Sequence, residues 1–122
     1  MYKILVADSL PKDILEKYNK SDNIIVDNKS GISKEELMDI LPEYDGLIVR
    51  SRTKVSADVL EKADKLKVIG RAGAGVDNID TDESTNRGII VMNTPGGNTI
   101  AATEHTVAMM LALMRNIPRA NM

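Results

Sequence analysis

Cysteine is missing from all 122 residues, and so are tryptophan and phenylalanine. Without cysteine there is no disulfide, no thiolate nucleophile and no cysteine-rich zinc site, a composition that suits a reducing compartment. Aromatic residues amount to 2%, all of them tyrosine (Tyr2, Tyr18 and Tyr44), so the chain lacks the stacking platforms of single-strand binders. It also lacks an excess of positive charge. Sixteen basic residues against eighteen acidic ones leave a net charge of −2, which gives no electrostatic footprint for DNA or RNA. Long apolar runs are missing too. The longest, Val107–Met114, is eight residues, against the roughly 20 that span a bilayer. Met1 to Val6 pass straight into an apolar strand pattern with no basic leader segment. The expected location is cytoplasmic, with neither nucleic acid nor membrane as partner.

What is present is a chain the size of one domain, 43% hydrophobic and 28% charged, ordinary values for a globular protein. Short runs rich in isoleucine and valine alternate with segments of helical period, the pattern of repeated strand-helix-strand units around a parallel sheet. Strands are predicted at Lys3–Ala7, Asn23–Asp27, Gly46–Arg50, Lys67–Arg71 and Gly88–Asn93. Their centres are too continuously apolar for a half-exposed antiparallel sheet. Helices are predicted at Pro11–Tyr18, from Ser33 to Leu41 before Pro42, at Ser56–Lys62 and at Thr81–Arg87. Ser33 and Glu36 have the spacing of a capping box, and Gly88 stops the last of these helices. Right-handed crossovers then lead to a flavodoxin-like α/β sheet of order 2-1-3-4-5 with helices on both faces.

After the turn formers at Thr94–Gly97 a longer helix is expected from Thr99 to Arg115. Ile100, Ala101, Val107, Ala108, Met110, Leu111, Leu113 and Met114 cover most of its circumference, whereas a surface helix keeps a polar face. It calls for packing partners on more than one side.

Ligands of open parallel sheets bind beyond the carboxyl ends of the strands, where the crossovers change sides. Those ends carry Asp8 and Ser9, then Arg50, Ser51 and Arg52, then Arg71 and the Gly73-Ala74-Gly75 loop, then Asn93 and Thr94. The third and fourth strands are expected side by side, about 4.8 Å apart. Arg50 and Arg71 would then present two guanidinium groups at one edge, next to a glycine-rich loop able to form a nest of backbone amides and a hydroxyl from Ser51. An acidic metabolite suits that edge. The other reading pairs the arginines with local carboxylates, Asp45 or Asp77, as plain surface charge.

Other chemistries fail on spacing. A phosphorelay receiver needs an aspartate at the end of the third strand, where Arg50 stands. A dinucleotide fingerprint needs glycine at Asn78, an apolar helix at once and an acidic residue after the next strand. His105 lacks the second histidine of a zinc-protease helix. No triad, paired-carboxylate site or metal site is visible, and no catalytic residue is assigned.

The ordered segments Gly46-Leu47-Ile48-Val49-Arg50-Ser51, Thr53-Lys54-Val55 and Val68 through Asp80 carry a likeness that continues in Arg87-Gly88-Ile89 and Val91-Met92-Asn93-Thr94-Pro95. Glu104-His105-Thr106-Val107 and Arg115-Asn116-Ile117-Pro118 extend it over nearly the whole chain. It resembles the D-2-hydroxyacid dehydrogenase family, in particular its phosphoglycerate dehydrogenase branch. The resemblance implies an NAD-dependent oxidation of the CH–OH group of a D-2-hydroxy acid, for this branch 3-phosphoglycerate to 3-phosphohydroxypyruvate in serine biosynthesis. It implies substrate contacts from Arg50, Ser51, Arg71, the backbone of Ala74 and Gly75, and Asn98. At Ala74 some relatives place a threonine against the nicotinamide, so a cofactor contact there falls to the backbone. Residues 1–97 correspond to the substrate-binding domain and 98–122 to the start of the nucleotide-binding domain, its crossover helix only. The fingerprint, catalytic arginine, glutamate and acid-base histidine of the family all lie downstream. The chain by itself is therefore expected to be inactive and to bind NAD weakly, with the Thr99–Arg115 helix meeting the nucleotide-binding domain and a second subunit. Two non-enzymatic readings remain beside this one: a stand-alone anion-binding module, and an interaction protein that docks through Met109, Met110 and Met114.

Overall fold

Successive side chains along the strands point to opposite faces of the sheet and divide the core between two layers. In the computed structural model, which describes residues 2–9, 24–72, 75–93, 108–110 and 112–113, five strands form one sheet: β1 (Tyr2–Val6), β2 (Ile24–Asn28), β3 (Gly46–Val49), β4 (Val68–Arg71) and β5 (Ile90–Asn93). All four pairings are parallel and the order is β2-β1-β3-β4-β5, as expected from sequence. Leu5, Leu47, Ile69 and Val91 stand side by side on one face. They meet apolar residues of helices α1 (Lys34–Ile40) and α2 (Ala57–Leu60), with Ile79 and Ile89 flanking α3 (Thr81–Asn86). The residues between them in sequence, Ile4, Val6, Ile48 and Val68, point to the other face. There the fully buried Met110 packs on them, and residues 108–110 and 112–113 are helical. β3 and β4 are buried along their whole length, which is why their sequences read as unbroken apolar runs.

The ends of the elements follow local chemistry. The Ser33 hydroxyl caps α1 by accepting from the amide of Glu36 at 3.3 Å, the forward half of the predicted capping box. Asp80 does the same for α3, accepting from Glu83 at 3.0 Å, a cap that sequence reading passed over. Gly88 sits at φ +73°. Its amide and that of Ile89 bond back to the carbonyls of Thr85 and Ser84, a Schellman closure that accounts for the stop at this glycine. That closure uses up Gly88 and Ile89, so β5 begins at Ile90 rather than Gly88. α2 ends at Leu60, short of the predicted Lys62, because the Lys62 and Ala63 amides turn back to Val59 and Leu60 in tight three-residue loops. The predicted Pro11–Tyr18 helix and most of the Thr99–Arg115 helix lie outside the described residues.

Candidate functional site

β3 ends at Val49, one residue short of the predicted Arg50, and the cause is a carboxylate. Where the ladder would continue, the amide of Arg50 donates instead to Asp8 Oδ2 at 2.7 Å. Asp8 stands at the end of β1, only 2% exposed, at the switch point between β1 and β3 where the strand order reverses. Its Oδ2 also accepts from the Thr53 amide at 3.1 Å, and its Oδ1 accepts from the Thr53 hydroxyl at 2.5 Å and from Arg52 Nε at 2.9 Å. Each oxygen thus accepts two hydrogen bonds. Burial pushes the Asp8 carboxyl up, but the Thr53 hydroxyl, the amides of Arg50 and Thr53 and the Arg52 guanidinium outweigh it and hold the group below its ordinary 3.8. The loop after β3 is therefore an amide nest occupied by the protein's own anion.

Arg52 completes the knot. Its Nη2 donates to the carbonyls of Ala7 and Ile32 at 2.9 and 3.2 Å and to the Thr53 hydroxyl at 3.2 Å. A second tie comes from the loop after β4. Asn78 Nδ2 donates to the carbonyl of Arg50 at 2.7 Å and to that of Thr53 at 2.6 Å, while Val55 and Ile79 form an isolated parallel bridge. The loops after β3 and β4 are joined before either reaches its helix.

Above this framework lies a crevice of about 400 Å³ lined by Asp8, Ser9, Gly31, Arg50, Ser51 and Arg52. Asp8 neutralises Arg52. Among the described residues Arg50 has no carboxylate partner, its Nη1 donating to the Ser9 carbonyl at 3.3 Å. One uncompensated guanidinium, with the exposed Ser51 beside it, gives the crevice a cationic character suited to a carboxylate or phosphate.

Arg71 is arranged differently. Its Cα stands opposite Val49 in the β3–β4 pairing, but its side chain is buried and its Nη1 reaches the exposed Asp77 carboxylate at 3.3 Å. It is not among the residues that line the crevice. Of the two carboxylates named as alternative partners, Asp77 does take Arg71, whereas Asp45 accepts from the amide of Lys3 and leaves Arg50 alone. Gly75, at φ +81°, lies over the Arg71–Asp77 pair, and a Cβ there would stand 2.9 Å from Arg71 Nη1. Gly75→Ala is expected to cost about 1–2 kcal/mol for the left-handed backbone alone and to displace the Arg71 guanidinium as well. Chemical denaturation reads the first effect and the Arg71 side-chain NMR resonances the second; an unchanged Arg71 spectrum would show that the close approach is unimportant. Ala74 and Asn98 lie outside the described residues.

The sequence profile of the D-isomer specific 2-hydroxyacid dehydrogenase catalytic domain matches residues 4–117. The chain belongs to this family. It is 51% identical over 124 aligned residues to D-3-phosphoglycerate dehydrogenase of Synechocystis, covering 99% of this chain and 22% of that protein. Among solved structures, a protein from Pyrococcus horikoshii is 37% identical with a TM-score of 0.71, over 99% of this chain and 36% of the other. The NAD+-bound 3-phosphoglycerate dehydrogenase of Entamoeba histolytica is 31% identical with a TM-score of 0.65, over 77% of this chain and 33% of that one. The chain thus spans about a fifth of the length of the curated relative and about a third of the structural ones.

For a member of this family the question is whether these residues can hold a dinucleotide, and the described ones do not fit one. A pyrophosphate needs a glycine turn with free amides at the switch point, and there this chain has the buried carboxylate of Asp8, which occupies the amides of Arg50 and Thr53. Among the described residues there is also no cluster of three or more potential metal ligands, and no helix is long and apolar enough to cross a membrane.

Sequence reading named Arg50, Ser51, Arg71 and Gly75 but passed over Asp8, Arg52, Thr53 and Asn78 as a unit. One signal was available. An aspartate closing an apolar strand at the switch point is buried by its position, and a buried carboxylate requires donors.

Proposed function

We propose that this chain is the substrate-side segment of an NAD-dependent oxidoreductase acting on the CH–OH group of a D-2-hydroxy acid, most specifically one that converts 3-phosphoglycerate to 3-phosphohydroxypyruvate. The observation that carries the reading is the crevice at the ends of β1 and β3, where Arg50 is the cation left without a carboxylate partner among the described residues. Family membership and the likeness to D-3-phosphoglycerate dehydrogenase over almost the whole chain support the substrate class. In this reading Arg50 and Ser51 bind one anionic group of the substrate. Arg71 with the amides around Ala74 and Gly75 binds the other, and Asn98 borders the cleft. Asp77, holding Arg71 from solvent, gives way to the substrate anion.

Residues 1–97 then form the substrate-binding domain, and 98–122 open the nucleotide-binding domain with its crossover helix. NAD binding and the acid-base and hydride-transfer groups belong to the remainder of the parent enzyme, a cytoplasmic protein, so the isolated chain is inactive and binds NAD weakly. The helix at 99–115 joins that domain and a second subunit. Within it, Met109, 39% exposed, and its sequence neighbour Met110, fully buried, support a helix with apolar residues on more than one side.

Calorimetric titration of the chain with 3-phosphoglycerate tests the site. Arg50→Ala is expected to weaken binding by about 10- to 100-fold, the loss of a hydrogen-bonded charge contact; equal affinities for variant and wild type would refute the assignment. An NADH absorbance assay tests the division of labour, with no turnover expected from the isolated chain. Measurable hydride transfer would mean that the catalytic groups lie within it.

A further inference from the structure

Arg50 has its main chain held at both ends by side chains from the two neighbouring strand ends. Its N–H is taken by Asp8 Oδ2 from the end of β1 at 2.7 Å, and its C=O accepts from Asn78 Nδ2, carried on the loop after β4, at 2.7 Å. We propose that Asn78, together with Asp8, is a positioning residue for substrate recognition: it fixes the Arg50 main chain so that the guanidinium enters the crevice already oriented toward an anion.

Several features separate this from a general loop staple. Arg50 is the first residue past β3 and receives no further ladder bond, so without the clamp its main chain would be free to swing at the point where the side chain has to be aimed. Asn78 uses its Nδ2 twice, on the carbonyls of Arg50 and Thr53. Turning the amide over would set oxygen against oxygen at both, so the orientation of the group is fixed by its partners. The main chain of the same residue is also anchored, its carbonyl accepting from the Val55 amide at 2.8 Å. The clamp is itself rigid. An arginine side chain loses considerable rotamer freedom when it grips a ligand, and fixing the backbone beneath it beforehand reduces what is left to order on binding. Asn78 is not among the residues that line the crevice and reaches it only through the Arg50 main chain, which is why it positions and does not catalyse.

The inference rests on the reading of Arg50 as the anion-binding group, so the test has one arm that depends on that reading and one that does not. In the independent arm, amide hydrogen exchange is followed by NMR on the whole chain. Asn78→Ala is expected to speed exchange at Arg50 by about tenfold, the loss of about one net hydrogen bond, while Leu47 and Ile48 within β3 stay unchanged. In the dependent arm, 3-phosphoglycerate is titrated into wild type, Asn78→Ala, Arg50→Ala and the double variant. Asn78→Ala should weaken binding about tenfold in the wild-type background and by less than about twofold when Arg50 is already alanine, because it acts through that side chain. Equal weakening in both backgrounds, or lowered stability with unchanged affinity, overturns the proposal in favour of a purely structural staple. Failure of the wild-type chain to bind 3-phosphoglycerate refutes the substrate reading instead. The exchange arm then decides the clamp alone, and unchanged exchange at Arg50 overturns it. If Asn78→Ala does not fold, Asn78→Ser, too short to reach both carbonyls, is read by the same outcomes.

Discussion

Replacing Asp8 by alanine is expected to lower the stability of this chain by about 3–5 kcal/mol, because several donors around a buried acceptor are stranded together and each costs about 1–3 kcal/mol, while the half-exposed Arg52 regains water. A domain of this size has a total of about 5–15 kcal/mol, so the variant keeps little margin, and its urea midpoint should fall by about 2 M. The size of the effect follows from what is stranded. Two amides, a hydroxyl and the Nε of Arg52 lose their common acceptor at once, in a place where water does not readily reach the buried Thr53. The same group sets an acid limit. Its carboxyl lies below 3.8 in the folded chain, so the folded state prefers the ionised form. That contribution is complete above the ordinary carboxylate range and is lost as pH falls through the lowered folded value. Asp8→Asn should therefore flatten the acid limb of a stability-against-pH curve as well as lower its plateau. A variant whose curve runs parallel to wild type below pH 4 would show that another carboxylate controls acid unfolding.

The second large effect is expected at the centre of the sheet. Leu47 lies on β3, flanked in register by Leu5 and Ile69, and is wholly enclosed. Leu47→Ala should cost about 3–4 kcal/mol, the lost transfer energy plus the cavity that rigid neighbours on both sides cannot close. Ile90 provides the contrast. It is a β-strand residue of similar volume, but it is on the edge strand and exposed, so Ile90→Ala should fall within about 0.5 kcal/mol of wild type. Denaturation of the pair measures how much of the fold rests on central packing. A loss at Ile90 as large as that at Leu47 would mean that the β5 edge is covered in solution by a second copy or by another segment.

These two sites lie 39 positions apart in sequence and differ in how readily sequence exposes them. Leu47 belongs to an unbroken apolar run, and such a run in an alternating strand-helix chain leaves little choice but a doubly covered parallel strand. Asp8 is one aspartate among several, and its donors come from residues more than 40 positions away. The same difference runs through the candidate site. Arg50, Ser51, Arg71 and Gly75 were named because they end strands or build a glycine loop, features with a local signature. The pairing of Arg71 with Asp77 was one of two alternatives that spacing alone left open.

Sequence by itself determined the class of fold, the number and order of the strands, the glycine that closes α3 and the family, because period, turn chemistry and ordered motifs are written along the chain. Tertiary structure decided which arginine at the strand ends was left without a carboxylate among the described residues. Arg50, Arg52 and Arg71 are equivalent as letters. Once β1, β3 and β4 are aligned, Asp8 takes Arg52 and Asp77 takes Arg71, while Arg50 has its main chain clamped and its guanidinium turned to a carbonyl at the crevice. Arg71 meets Asp77 within the loop after β4, but the bonds from Arg50 and Arg52 to Asp8 join the ends of β1 and β3 and exist only after the sheet has formed.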